Sequence, residues 1–341
     1  MDLERVVQNA RDAIGEQPAT DYAFKPTQLP GQVEAQARSL ADLLRHSNIA
    51  TLAERYEAKN AEAMAAQADF RRAANRANWL VLLTSVWSAL LLMIGTMGLS
   101  NELSRPAIVA VTVLGALTAA VATMFVTMAR NAKLLEEWYG RRAEAEAARR
   151  DYFERLFLVS PNPELLLLRL EFFRRYQLEL QTNFYRNRRK TNAVSARRLA
   201  FLSAGGVAAS MLATTLAGAL SSVHPGWIAL AGISAITSAL TSFIAARETV
   251  FRYQQNAESY RQSQDALDKI RERLDDVRVA AAQGQAEPVH QFVSAVHEQL
   301  MGEHQQWLKS SDSAQEALRR LQESLEKTRI QPKVGAATAK P

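Results

Sequence analysis

Four stretches without a single ionisable side chain limit what this chain can fold into: Trp79 to Leu99, Ala107 to Ala129, Leu199 to Ser222 and Trp227 to Ala246. At about 1.5 Å of rise per helical residue, roughly 20 residues cover the roughly 30 Å hydrocarbon core of a bilayer. Buried helices of soluble proteins are typically about half as long and keep polar positions. The expectation is therefore an all-α integral membrane protein with four spans in two hairpins and long cytoplasmic helices. Mean hydropathy is slightly negative because these blocks alternate with long charged stretches. A soluble helical protein would spread its apolar residues in amphipathic stripes.

Orientation follows from the basic residues. Arg71, Arg72 and Arg76 precede the first block. Arg130, Lys133, Arg141 and Arg142, then Arg186, Arg188, Arg189, Lys190, Arg197 and Arg198 lie between the pairs, and Arg247 and Arg252 follow the last. The turns inside the pairs, SNELSRP and VHPG, hold only Arg105 between them. Both termini are expected to face the cytoplasm, in a bacterial inner membrane. The N-terminal MDLERVVQNARDAIGEQ carries acids and no apolar core, so no signal peptide is expected and the first block is expected to insert the chain. The net charge of +6 sits beside the apolar blocks, where topology and lipid headgroups account for it; nucleic acid is not an expected partner.

An internal repeat runs through the chain with a period of roughly 120 residues: a charged helix enters a hairpin and another leaves it, and Tyr139 corresponds to Tyr260. The reading divides the chain into an N-terminal helical region (1–50) and a first unit (51–158). An amphipathic connecting helix (159–190) leads to a second unit with a trailing helix (191–309), then a C-terminal helix and tail (310–341). Gln32 to Ala77 is expected to form one helix running into the first span. Pro163 is expected to restart a helix after the SPNP break, and VAAAQGQAEP reads as a linker.

Small and hydroxylated residues fall in register on the spans: Thr112, Ala116, Ala119, Thr123 and Thr127 on the second, Ser203, Ser210, Thr214 and Ser221 on the third, Ser234, Thr237, Ser238, Thr241 and Ser242 on the fourth. Such faces serve helix packing or, on assembly, the wall of a hydrated pore. With no acid, base or histidine inside the blocks, an ion-coupled transporter is disfavoured. His290, His297 and His304 recur every seven residues, about 10 Å apart along a helix, which suits a packing face better than one metal ion. There is no cysteine and no nucleotide-binding, zinc-protease or serine-hydrolase motif, so neither enzyme activity nor a cofactor or metal is expected.

A two-span hairpin with a tight outer turn, the outgoing helix RETVFRYQQNAESYRQSQDALDKIRERL and the trailing helix FVSAVHEQLMGEHQQWLK together resemble the SLATT families of bacterial two-transmembrane effector domains. Phe292, Val296, Glu298, Leu300, Glu303 and Trp307 resemble the trailing-helix positions of that family, and Glu258, Tyr260 and Leu267 suit its post-hairpin helix. The resemblance covers Thr191 to about Lys309. Thr51 to Leu158 resembles a divergent second copy in tandem, in which Gly140 is expected to interrupt the outgoing helix. The resemblance implies a membrane effector of a conflict or antiphage system that oligomerises and permeabilises the membrane on a signal, for which a nucleotide made or sensed by a protein encoded nearby is the candidate. A non-enzymatic membrane scaffold and a constitutive small-ion channel are the alternatives.

Overall fold

The helix that begins at Pro163 organises the charged part of the molecule. In the computed structural model the described residues are 3–15, 24–96, 105–131, 133–158, 162–221, 223 and 230–302, and among them all regular structure is helical. The helices are α1 (Leu3–Ile14), α2 (Leu29–Val33), α3 (Arg38–Arg45), α4 (Ser47–Thr96), α5 (Arg105–Asn131), α6 (Leu134–Phe157), α7 (Pro163–Phe173), a π-helical turn (Arg174–Glu179), α8 (Leu180–Ser221), α9 (Leu230–Phe251), α10 (Tyr253–Arg271), α11 (Leu274–Ala282) and α12 (286–302). The Asn162 side chain caps α7 by accepting from the Glu164 N–H, and Pro163 occupies its first turn, where a missing N–H costs nothing.

The described chain divides into two compact units. One holds residues up to Gln67, then Glu136–Val194 and the stretch from Tyr253; the other holds Ala68–Leu135 and Ser195–Arg252. All four apolar blocks fall in the second unit, and the charged helices before and after them supply the first.

In the first unit α7 is buried on every side. Leu166, Leu167, Leu170, Phe172 and Phe173 are at most 2 % exposed, and α1, α3 and α11 pack around the helix. Residues 159–190 were expected to be an amphipathic connector; the described part is instead the centre of a core, because the run LLLLRLEFF has apolar side chains around its whole circumference. At roughly 1.5–3 kcal/mol per fully buried large side chain, such a helix is far more stable surrounded than lying on a surface.

One acid of α7 is buried against two arginines. Glu171 is fully buried and accepts from Arg174 Nε at 2.5 Å and from Arg278 Nε at 2.6 Å. Arg174 also donates to Glu179 (2.8 Å) and to the Gly15 carbonyl (2.8 Å), while Arg175 donates to the Ile14 carbonyl. Both guanidiniums thus meet the carbonyl end of α1, where the helix dipole is negative. Phe24 packs against Tyr56, Tyr152, Phe153 and Tyr176 with ring centroids 5.4–6.2 Å apart. Arg149 stacks 5.0 Å from the Phe24 ring centroid and donates to the Tyr176 carbonyl. Outside this core α4 and α6 face each other through Lys59–Glu144 (2.9 Å), Arg141–Glu62 (2.7 Å) and Arg55–Asp151 (3.9 Å), exposed pairs of small individual worth.

Several sequence expectations are corrected here. Gln32 to Ala77 is not one helix: Ala37 (φ −142°, ψ 65°) and His46 (ψ 134°) leave helical conformation, so α2, α3 and α4 are separate. The breaks let Leu29, Val33, Leu40, Ala41 and Leu44 all reach the core, which a straight helix could not do. The outgoing helices start anew after the apolar ones. Lys133 (φ 48°) and Arg252 (φ 50°) adopt the left-handed conformation, and α6 and α10 begin immediately after them. Gly140 lies inside α6 without interrupting it. The expected linker shrinks to Gln283–Gln285, where Gly284 (φ 78°) ends α11 with the Gln285 N–H on the Ala280 carbonyl, as in a Schellman cap.

Replacing Glu171 by Ala leaves Arg174 and Arg278 buried without their shared anion. A loss of about 3–5 kcal/mol is expected in denaturant unfolding of the detergent-solubilised protein, and Arg278→Leu with Glu171→Leu together should recover part of it.

Candidate functional site

The apolar unit contains the side chains singled out by their hydroxyl registers. On α8 and α9 those hydroxyls meet one another. Ser210 Oγ lies 2.7 Å from Ser234 Oγ, and Thr214 Oγ1 donates to the same Ser234 oxygen at 2.9 Å and shares a bond with the Ser210 carbonyl. One turn nearer the N-terminus of α8, Gly206 is buried, and a methyl group added there would stand 2.8 Å from Thr241 Oγ1. Ala213 and Ala217, each at most 8 % exposed, continue the same face of α8. Small residues allow the backbones to approach, and the hydroxyls then find partners across the contact as well as in their own helix. Gly205, adjacent in sequence, has nothing within reach of a Cβ, so only one of the two glycines serves the close approach.

The remaining candidates are distributed differently. Thr237 and Thr241 bond back to carbonyls of α9. Ser203 is half-buried, Ser221 bonds to the Gly218 carbonyl, and Ser238 is exposed. On α5, Thr112 is exposed and Thr123 bonds to the Ala119 carbonyl. The side chains of Thr127 and Ser242 lie outside the described residues. α4 approaches α9 through Trp79 and Phe243, with ring centroids 5.4 Å apart, and through Asn75, which accepts from Arg247 at 3.4 Å. Helices from the two expected hairpins therefore touch within one chain.

The outward sides of these helices are apolar. Phe201, Met211 and Leu212 on α8 are 79, 66 and 64 % exposed, and Val109, Leu117 and Met124 on α5 are 50–60 % exposed. No described side chain of α5 is fully buried. Glu164–Ser221 is a continuous helical run long and apolar enough to cross a membrane by length and composition; Thr112–Val121 and Gly232–Ala245 are shorter apolar stretches.

In the other unit, α12 carries the trailing-helix positions. Phe292 and Val296 are fully buried, Leu300 is half-buried against the same core, and Glu298 is exposed; Glu303, Trp307 and His304 lie outside the described residues, as do the expected C-terminal helix and tail. His290 Nε2 is 3.2 Å from the Phe157 carbonyl, and the His297 ring meets Phe173 edge-on at 5.4 Å. The seven-residue histidine spacing therefore marks a packing face, and among the described residues no cluster suits a metal ion. Burial, reinforced by Arg150 and Arg149, pushes the His297 pKa down to about 4, although Glu154 Oε1 lies 3.6 Å from its Nδ1. Beyond the heptad spacing nothing local signals that burial, because the arginines facing His297 come from α6, far away in the chain.

Residues 173–307 match the family model described as SMODS and SLOG-associating 2TM effector domain 1, which spans the π-helical turn through α12. The match runs from the end of α7 through α12; residues 51–158 lie outside it. No curated protein and no solved structure matches the chain.

Gly206→Val should force α8 and α9 apart and lower stability by about 1–3 kcal/mol in detergent unfolding, whereas Gly205→Ala should be nearly neutral. A second expectation concerns acid. His297 is neutral in both states above pH 6.5; below it the unfolded chain takes up a proton that the folded protein refuses until about pH 4. Stability should therefore fall as pH drops through this window, by roughly 3 kcal/mol in total. His297→Leu should remove that component from the pH dependence of unfolding.

Proposed function

We propose that the protein is a bacterial inner-membrane effector of a conflict or antiphage system, which oligomerises and permeabilises the membrane when a signal reaches its charged helices. The observation that carries this reading is that the region matching a two-transmembrane effector domain, residues 173–307, includes α8, the helix that combines sufficient length with a bare apolar surface. Four spans in two hairpins follow from the four charge-free blocks, each of which lies largely within a described helix of the apolar unit. The basic flanks put both termini in the cytoplasm. A nucleotide-signal synthase or sensor encoded nearby is the partner this reading asks for.

A tandem arrangement of two related units is part of the proposal. Its support is the recurrence of one local device: a basic residue in left-handed conformation, Lys133 and then Arg252, followed by a charged helix with a buried tyrosine in its first turns, Tyr139 as the sixth residue of α6 and Tyr260 as the eighth of α10.

The pairing of Ser210, Thr214 and Ser234 with one another favours a second reading, a membrane-anchored scaffold that recruits partners and conducts nothing. In the effector reading that hydroxyl cluster holds the hairpin together, and a lumen must draw on other hydroxyls, of which Ser238 on α9 and Thr112 on α5 are exposed.

Induced expression in bacteria, alone and with the neighbouring genes, distinguishes the two when followed with a voltage-sensitive dye. Rapid depolarisation and growth arrest that require the neighbours are expected of the effector. Depolarisation without them would indicate a constitutive channel, and intact potential with the protein in the membrane would favour the scaffold.

A further inference from the structure

Several exposed cations of this protein are matched to carboxylates. Arg45 pairs with Glu34, Arg72 with Asp69, Arg142 with Glu146, Arg261 with Glu258 and Arg271 with Asp268, even though all are well exposed or half-exposed. Three arginines of the apolar unit depart from this habit. Arg76, Arg197 and Arg198 are exposed, and among the described residues no carboxylate lies within ion-pair distance of any of them. The sequence explains why: no acid stands between Asp69 and Glu102, or between Glu179 and Glu248.

Their positions on the helices are systematic. Arg76 precedes Trp79 by three residues on α4, and Trp79 is 55 % exposed. Arg197 and Arg198 precede Phe201 and Leu202 by four residues each on α8, and these are 79 and 53 % exposed. Residues three or four apart share a helix face. Each unmatched guanidinium is therefore one turn from a bare apolar side chain on its own face, and on α8 the arrangement is doubled on adjacent faces. A group with an anionic oxygen at one end and a hydrocarbon chain beginning about one helical turn away would satisfy both at once.

From this juxtaposition we infer that Arg197 and Arg198, with Phe201 and Leu202, form a binding surface for an anionic phospholipid of the glycerol-headgroup type, and that Arg76 with Trp79 forms a smaller version of it. The inference rests on the membrane reading above and adds a headgroup preference to it. The phosphodiester is held by the guanidiniums, whose fork of N–H donors matches its oxygens. The preference comes from what is missing around them. A choline or ethanolamine headgroup carries its own cation, which requires an acceptor, and no carboxylate is in reach to serve as one. A headgroup with net negative charge has no such unmet requirement. A soluble anion would satisfy the arginines but leave Phe201 and Leu202 bare, which is why a lipid, and not a free phosphate, is the assigned occupant.

The test uses the full-length protein. Flotation with phosphatidylcholine vesicles containing phosphatidylglycerol first establishes membrane insertion. Native mass spectrometry of the detergent-solubilised protein then compares retention of added phosphatidylglycerol and phosphatidylcholine. Phosphatidylglycerol should be retained over phosphatidylcholine, by about five-fold for each guanidinium engaged. Arg197→Gln with Arg198→Gln should abolish most of that preference, while the paired Lys substitutions, which keep the charge, should retain much of it; circular dichroism shows that each variant keeps its helix content. Insertion with equal retention of the two lipids, or a preference untouched by the Gln pair, overturns the lipid site and leaves the membrane reading standing. Displacement of phosphatidylglycerol by an equal concentration of glycerol 1-phosphate identifies a soluble-anion site and also overturns it. Failure to float with vesicles overturns the membrane reading and, with it, this inference.

Discussion

One buried carboxylate fixes the charged unit. Glu171 sits in the last turn of α7, a helix whose other buried side chains are apolar apart from Arg169, and its two oxygens are taken by arginines 3 and 107 residues further along the chain. A buried carboxylate alone would be expensive, and so would either guanidinium. Together they can exist only in one register, with α11 alongside α7 and the π-helical turn in place to present Arg174. Hydrophobic burial supplies the larger share of the stability, but leucines and phenylalanines tolerate sliding, and Glu171 does not. The same turn aims Arg174 and Arg175 at the last carbonyls of α1, so the N-terminal helix is tied to the register that Glu171 sets.

The apolar unit solves a different problem with different means. Its helices have little to gain from covering their outer faces, and they leave Phe201, Met211 and the α5 row bare. What holds α8 to α9 is close approach at Gly206 and a cluster of three hydroxyls, the kind of contact that remains useful when the surroundings are as apolar as the protein. On α8 the large Phe201, Met211 and Leu212 are bare while Gly206, Ala213 and Ala217 are buried, the reverse of what a water-facing helix would be expected to show.

How much of this could be read from sequence depended on the range of the interaction. The helix start at Pro163 is a local signal and lies where it was expected, and the charge-free blocks fall largely within described helices. The register of small residues singled out Ser210, Thr214 and Ser234, which meet across α8 and α9, although it could not say whether they would meet each other or a lumen. The breaks at Ala37 and His46 were invisible because neither residue is a helix breaker; the core imposes them by drawing in Leu40, Ala41 and Leu44. The burial of Glu171 and His297 was equally hidden, since both depend on partners brought by distant helices. Glu171 did leave one trace, an acid alone in a run of leucine and phenylalanine, which is costly unless something distant answers it.

The hydroxyl cluster also bears on how a pore could arise. Ser210, Thr214 and Ser234 saturate one another, so turning them toward water would mean breaking contacts that have already been satisfied, with α8 and α9 rotating apart about Gly206. The hairpin is therefore better regarded as a single rigid element than as two walls waiting to separate. If the protein conducts, the economical route is to bring together hairpins from several chains and leave each one intact. The lumen would then be built from surfaces that are bare in the single chain, and α5, with no described side chain fully buried, has the most of its circumference available for that purpose.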